Sequence, residues 1–183
     1  MSRTAQVVLL CEDRQHEVFA RRFLKKIGWE TRRLRVQLSP PGQGSAEQFV
    51  RKRFPHELGA YRSNRHRVAK ALIVMIDGDA KGVSGRLRDL DDACHSEDIV
   101  PRTEHERVAV FVPTSNIETW LAYLAGESVD ETRKDYARLG RERECQRHVD
   151  VLCAMCAQGS LRKPAPPSLV AACKEYRSRL DRQ

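Results

Sequence analysis

The chain predicts an α/β fold: a parallel sheet of about four strands flanked by helices, with a C-terminal helical extension. Three observations predict it. "QVVLLCE", "ALIVMI" and "RVAVFVP" are short aliphatic runs of the kind found in strands buried on both faces. Segments of helical periodicity stand between the runs, and strands alternating with helices give a parallel sheet covered on both faces. From Asp130 onward the pattern is helical only.

Taken in order, "QVVLLCE" supplies the first strand. "HEVFARRFLKKIGWE" follows as a helix with Phe19, Phe23, Leu24 and Ile27 on one side, and Gly28 stands where a terminating glycine is expected. "RRLRVQLS" alternates as a second strand through Leu34, Val36 and Leu38, and "PPGQGS" breaks regular structure. Ala46 to about Tyr61 reads as a helix carrying Phe49, Val50, Phe54 and Leu58, with Pro55 set to kink or split it. "ALIVMI" is the third strand, and "SGRLRDLDDACH" makes a helix with Leu87, Leu90 and Cys94 inward. "RVAVFVP" is the fourth strand, and "SNIETWLAYLAG" a helix starting at once after it. A helix is expected from about Leu139 to Ala157. After the break at "KPAPPS", a last one, "SLVAACKEYRSRL", is capped by Ser168.

The totals narrow the function classes. At 183 residues the chain is expected to form one α/β unit over residues 1–127, with residues 128–183 packed on it as a helical extension. No run approaches the roughly 20 apolar residues of a membrane helix, and "MSRTAQVVLL" leads straight into "CEDRQHE" without a secretory pattern. A cytoplasmic location is the expectation. Lys and Arg outnumber Asp and Glu by 33 to 25, which tilts the partner towards a polyanion, nucleic acid first. Six cysteines in such a chain argue against a disulfide framework. The spacing of Cys145, His148, Cys153 and Cys156 could hold zinc, but the segment reads as a helix with Val149, Leu152 and Cys156 on one stripe, so buried helix cysteines are the preferred reading.

The acidic residues cluster where the strands end. Glu12 closes the first run, Asp77-Gly78-Asp79 the third, and "PTSNIE" brings Asn116 and Glu118 after the fourth. If these strands are parallel neighbours, the carboxylates meet at one edge of the sheet, where open α/β folds bind ligands. Gathered carboxylates repel one another unless a cation compensates them. Oxygen donors without Cys or His suit Mg²⁺ or Mn²⁺ rather than zinc. Taken singly, each acid has a plainer reading: Glu12 and Asp13 as helix caps, Asp77-Gly78 as a turn, Glu118 as a first-turn acid favoured by the helix dipole.

Together, "VVLLCEDRQHEVF", "ALIVMIDGDAKG" and "FVPTSNIETWL" resemble the TOPRIM domain, the TOPRIM/Rossmann-like fold shared by topoisomerases, primases and the overcoming-lysogenization-defect (OLD) nucleases. Within that group the chain looks most like small stand-alone TOPRIM-like proteins of bacterial defence loci. The resemblance spans about residues 5 to 125. It implies a metal-dependent nuclease in which Glu12 matches the family glutamate, Asp77 and Asp79 its Asp-x-Asp pair, and Glu118 the further acid of the nuclease branch. One position departs: the family glutamate is commonly followed by glycine, and here Asp13 follows, as a helix N-cap or as a weakened motif.

On that reading Asp77 and Asp79 ligate metal, Glu118 a second ion, and Glu12 is a ligand or, by resemblance, the general acid/base. Lys81 could touch a phosphate oxygen, or be a solvated loop lysine. His16, one helical turn from Glu12, is a candidate proton shuttle; such a histidine is more often surface filler. The basic stretch "RKRFPHELGAYRSNRHRVAK" holds Arg51, Lys52, Arg53, Arg62, Arg65, Arg67 and Lys70, which either track a nucleic-acid backbone or form a solvated helix face. DNA is taken ahead of RNA as substrate, and oligomeric state stays open, a homo-oligomer included. "PPGQGSAE" lacks the ending of a P-loop, so an ABC- or SMC-type ATPase partner is what the resemblance implies. The competing classes are a catalytically silent binding module of the same fold and a zinc-stabilised adaptor.

Overall fold

Strands β1 (Gln6–Cys11), β2 (Leu34–Leu38), β3 (Lys70–Met75) and β4 (Val108–Phe111) form one sheet, all parallel, in the order β2-β1-β3-β4. The structure, a computed structural model, describes residues 6–42, 44–66 and 70–181. Among them are six α-helices: α1 (Arg14–Lys26), α2 (Ala46–Asn64), α3 (Gly82–Ser96), α4 (Ile117–Leu124), α5 (Cys145–Ala157) and α6 (Pro167–Arg179). The fold is the expected α/β class, a four-stranded parallel sheet with helices on both faces and a C-terminal helical extension.

Successive side chains alternate across a strand, so each central strand feeds two cores. Leu9, Cys11, Ile73 and Met75 pack towards α1, α4, α5 and α6. Leu10, Leu72, Val74 and Ile76 pack towards α2 and α3. This double burial is why the runs carry no polar alternation, and each buried Leu or Ile contributes roughly 2 kcal/mol. Val149 and Leu152 of α5 and Leu169 and Ala172 of α6 lie in the first core, which therefore continues unbroken past residue 127.

Local signals set most helix ends. Asp13 Oδ1 accepts the amide of His16 at 2.9 Å and caps α1, the N-cap reading of that position. Gly28, at φ 89°, turns the chain out of α1 in the left-handed conformation. Of the two outcomes expected at Pro55, a kink or a split, the split does not occur. Helix α2 runs through the proline, because the apolar stripe of Val50, Phe54, Leu58 and Tyr61 seals the helix to the sheet and outweighs one missing amide bond.

Three expectations for the C-terminal third are corrected. Residues 127–141 are not helical but form an irregular strap. There Asp130 Oδ1 accepts from the Thr132 amide at 2.8 Å and hydroxyl at 2.7 Å, closing a turn that competes with helix. The helix expected from about Leu139 begins at Cys145, after one 3₁₀ turn at Glu142–Glu144. Ser168 is not the cap of α6: Pro166 is the N-cap and Pro167 the first helical residue, pre-set in φ. The Ser168 hydroxyl instead accepts from Trp120 Nε1 at 2.7 Å and donates to Glu131.

The four residues with zinc-like spacing all sit on α5 and face different surroundings. Cys145 is buried in the core, His148 Nδ1 is 3.0 Å from the Glu144 carbonyl, and Cys156 Sγ is 3.0 Å from Cys173 Sγ of α6. Among the described residues no helix is long and apolar enough to cross a membrane.

One expected nucleic-acid contact has a structural task. Arg62 grips buried Glu106 through Nε (2.7 Å) and Nη2 (3.0 Å), and also holds the carbonyls of Val100 and Pro101. Burial alone would raise the Glu106 pKa. The Arg62 fork and the Thr103 amide outweigh it and hold the carboxyl below its ordinary value. A depressed folded pKa contributes stability above the unfolded pKa and loses it as pH falls through the folded one. Glu106→Gln is therefore expected to cost about 2 kcal/mol at neutral pH, since it removes one partner of a buried pair. It should also flatten the fall of Tm below about pH 4.5, near the ordinary carboxyl value. Thermal melts across pH 3 to 7 check both.

Candidate active site

Strand order places the topological switch point between β1 and β3, because the chain steps from β1 to β2 on one side and to β3 on the other. Register brings Cys11, Met75 and Phe111 level, so the residues after them leave the sheet at one carboxyl edge. Glu12 and Asp77 meet there: Glu12 Oε1 accepts the Asp77 amide at 2.7 Å. The β3–β4 ladder continues beyond the strands through Ile76 N to Phe111 O (3.2 Å) and Gly78 N to Pro113 O (2.7 Å), fixing the Asp77–Asp79 turn against the start of α4. Asp79 (φ 45°) and Ser115 (φ 66°) both hold left-handed backbone conformations that non-glycine residues adopt at a cost, one on each side of that contact.

Each acid has identifiable partners. Glu12 is half-buried, and burial first, then the charge of Asp77, push its carboxyl up to about 7. Burial raises Asp77 as well, against the pull of His16. His16 is not surface filler. It is completely buried, with Nε2 3.0 Å from Asp77 Oδ1, while Nδ1 lies 3.9 Å from Asp13 Oδ1 and has no hydrogen-bond partner among the described residues. Burial disfavours its charged form, yet the bond to Asp77 and the charges of Asp77, Asp13 and Glu12 prevail and lift its pKa to about 9. Asp79 lies between Arg86 Nη2 (3.0 Å) and Lys134 Nζ (3.3 Å). Glu118 is buried, and its Oε1 accepts from Gln15 Nε2 (2.6 Å) and Arg138 Nε (2.8 Å).

Arg86, Lys134 and Arg138 were not legible in the sequence as site residues. Arg86 is a buried arginine whose Nε donates to the Asp77 carbonyl (2.7 Å) and whose Nη atoms reach Asp79, Asp89 (3.2 Å) and Glu47 (2.8 Å). The Glu47 approach is an ion pair without hydrogen-bond alignment, so Glu47 Oε1 is charge-paired yet accepts no directed bond from a described residue. An arginine on the inner face of α3 was the available signal; the apolar stripe of Leu87, Leu90 and Cys94 masked it.

Lys81 turns away from the acids, its Nζ 2.8 Å from both Asp89 oxygens. The basic stretch does not converge on them either. Because β2 and β3 are parallel, α2 runs back from the carboxyl edge to the amino edge, about 28 Å over its length. Arg51 and Arg53 pair with Glu47 (3.7 Å) and Glu57 (3.2 Å), and Lys52 is exposed. Arg62 is spent on Glu106, and Arg65, at the far end of α2, is exposed beside His66. Arg67 lies outside the described residues, and of Lys70 only its backbone place in β3 is described.

The donor set at the switch point suits a hard divalent cation. Glu12 Oε2 and Asp77 Oδ2 take no hydrogen bond from a described residue, and a cation between them would offset the repulsion that raises both carboxyls. Mg²⁺ commonly binds through one or two carboxylates plus water and substrate phosphate. No three His, Cys, Asp or Glu side chains among the described residues are arranged as a metal cage. On Asp79 a metal would compete with Lys134 for Oδ1 while Arg86 keeps Oδ2, and on Glu118 with Arg138, which shares Oε1 with Gln15.

Gly78 sets the spacing of this edge. A Cβ there would stand 3.2 Å from Pro113 O, Thr114 Cα and Gly82 Cα, all backbone atoms. Gly78→Ala is expected to cost about 2 kcal/mol by pushing apart the β3 and β4 tips. It should also lower any activity of the site more than it lowers substrate binding. Thermal melts with a kcat and KM comparison check this. Compared with known proteins, the chain matches no family model, no curated protein and no solved structure.

Proposed function

We propose that the protein is a Mg²⁺- or Mn²⁺-dependent TOPRIM-like nuclease hydrolysing phosphodiester bonds of nucleic acid, DNA ahead of RNA. The observation that carries the reading is the meeting of Glu12 and Asp77 at the switch point of a parallel sheet, with Asp79 and Glu118 at the same edge. Asp77, with Glu12 where it serves as a ligand, would hold the cation, with Asp79 and Glu118 as further ligands once Lys134 and Arg138 have left them. A bound divalent cation neutralises charge on the phosphate and lowers the pKa of a water nucleophile. Where Glu12 is left off the metal it serves instead as the general acid/base, since burial and the charge of Asp77 raise its carboxyl towards neutral pH. His16 positions Asp77 by gripping Oδ1, which leaves Oδ2 to face the reacting groups. Arg86 fixes Asp79 and the Asp77 carbonyl, holding the turn in its left-handed conformation.

The resemblance to defence-associated TOPRIM-like proteins supports a role against phage with an ABC- or SMC-type ATPase supplied by another chain. The test is a cleavage assay on plasmid, linear DNA and RNA with Mg²⁺ or Mn²⁺, beside an Asp77→Ala variant. Cleavage that needs metal and Asp77 supports the reading. Equal cleavage by both proteins refutes the site, and silence from both, with and without an ATPase partner, leaves the binding-module alternative.

A further inference from the structure

We propose that Lys134 and Arg138, carried on the 127–141 strap, are the phosphate-gripping residues of this site. They rest on its acids until a divalent cation replaces them there. The proposal builds on the nuclease reading and adds a substrate-binding element to it. Asp79 and Glu118 each take one cationic partner from the strap, beside Arg86 on Asp79 and Gln15 on Glu118: Lys134 Nζ is 3.3 Å from Asp79 Oδ1, and Arg138 Nε is 2.8 Å from Glu118 Oε1. Arg138 Nη2 also lies 3.7 Å from Asp13 Oδ2, and the charge of Asp77 reaches the same guanidinium.

The strap is tied down through Glu131 and the Leu139 amide, while its two paired cations are open to solvent. Ser115 Oγ donates to the Glu131 carbonyl at 2.7 Å, Ser168 N donates to Glu131 Oε1 at 3.1 Å, and the Leu139 amide donates to Gln15 Oε1 at 3.3 Å. The Lys134 and Arg138 side chains are 61% and 74% exposed. Exposed pairs of this kind are worth less than about 1 kcal/mol each, so a doubly charged cation that needs the same carboxylates can displace them. Displaced, the two side chains stay at the rim of the acidic edge with their charge unpaired. A guanidinium there presents a planar donor fork that matches phosphate oxygens, and the ammonium supplies a compact charge. Other cations near the acids are committed: Arg86 is buried among its acceptors and Lys81 is bound to Asp89. A substrate phosphate at the metal would therefore find its counter-charges on the strap.

Two titrations on the full chain test this, with wild type, Lys134→Gln/Arg138→Gln and Asp77→Ala. The first measures Mn²⁺ binding without nucleic acid, by the electron paramagnetic resonance signal of the free ion. The double variant should bind Mn²⁺ about tenfold tighter, because two competing ion pairs are gone. The second measures binding of a labelled DNA duplex by fluorescence anisotropy across a salt series, in Ca²⁺ and in EDTA. In Ca²⁺ the double variant should bind more weakly, its log K against log salt slope shallower by about 2. In EDTA, where the cations sit on the acids and grip no phosphate, its salt slope should match that of wild type. Unchanged or weaker Mn²⁺ affinity, or an unchanged salt slope in Ca²⁺, overturns the proposal. If Asp77→Ala binds Mn²⁺ as wild type does, or no protein binds it, the metal-site reading itself fails. Loss in Asp77→Ala with no gain in the double variant sinks only the strap's role.

Discussion

Asp77→Ala is expected to reduce metal-dependent cleavage by about three orders of magnitude, the loss of several kcal/mol of charge stabilisation at the transition state. The residue is central because Glu12 and Arg86 fix its backbone, through the amide and the carbonyl, while His16 orients its carboxylate at Oδ1. Only the carboxylate is lost in the variant, so the backbone bonds of the turn survive. Buried His16 loses its acceptor, which costs about 1–3 kcal/mol, while Glu12 gains from the removal of a neighbouring charge. The net change in Tm should be small beside the loss of rate. Asp77→Asn keeps an oxygen for His16 and should be equally inactive, which separates loss of the charge from loss of the hydrogen bond. A rate within tenfold of wild type in both variants would move the chemistry elsewhere on the molecule.

Arg86→Met carries the largest expected cost in stability, about 3 kcal/mol, or roughly a 10 °C fall in Tm for a chain of this size. The guanidinium side chain is 6% exposed and serves Asp79, Asp89, Glu47 and the Asp77 carbonyl. Removing it leaves carboxylates from α2, α3 and the β3–α3 turn facing one another without their shared cation. Arg86→Lys should recover only part of the loss, since an ammonium cannot span acceptors arranged around a planar fork. Thermal melts of the two variants measure this. A fall below about 2 °C in Arg86→Met would mean that Lys81 or solvent already carries the compensation assigned to Arg86.

The helical reading of residues 130–141 failed for a physical reason. Asp130, Thr132 and the charged residues around them form side-chain turns and reach distant partners, and sequence periodicity does not register such long-range ties. Ser168 misled in a related way. A serine before an apolar run is a common cap, but here its hydroxyl is claimed by Trp120 and Glu131, both brought near by the sheet. His16 read as filler because its spacing from Glu12 says nothing about the wall that β3 places beside it, 61 positions along the chain.

The sequence by itself determined the α/β class, the succession of strands and helices, and the arrival of Glu12, Asp77, Asp79 and Glu118 at strand ends. Burial on two faces writes itself into uninterrupted aliphatic runs, and helix burial into a 3.6-residue period, so local order can be read directly. Only the tertiary structure decided which charges meet. The partners of the acids, Arg86, Lys134, Arg138 and His16, lie 7, 55, 20 and 61 positions from the carboxylates they hold. An ion pair depends on distance in space, and that distance exists only once strand order and register have closed the fold around the carboxyl edge.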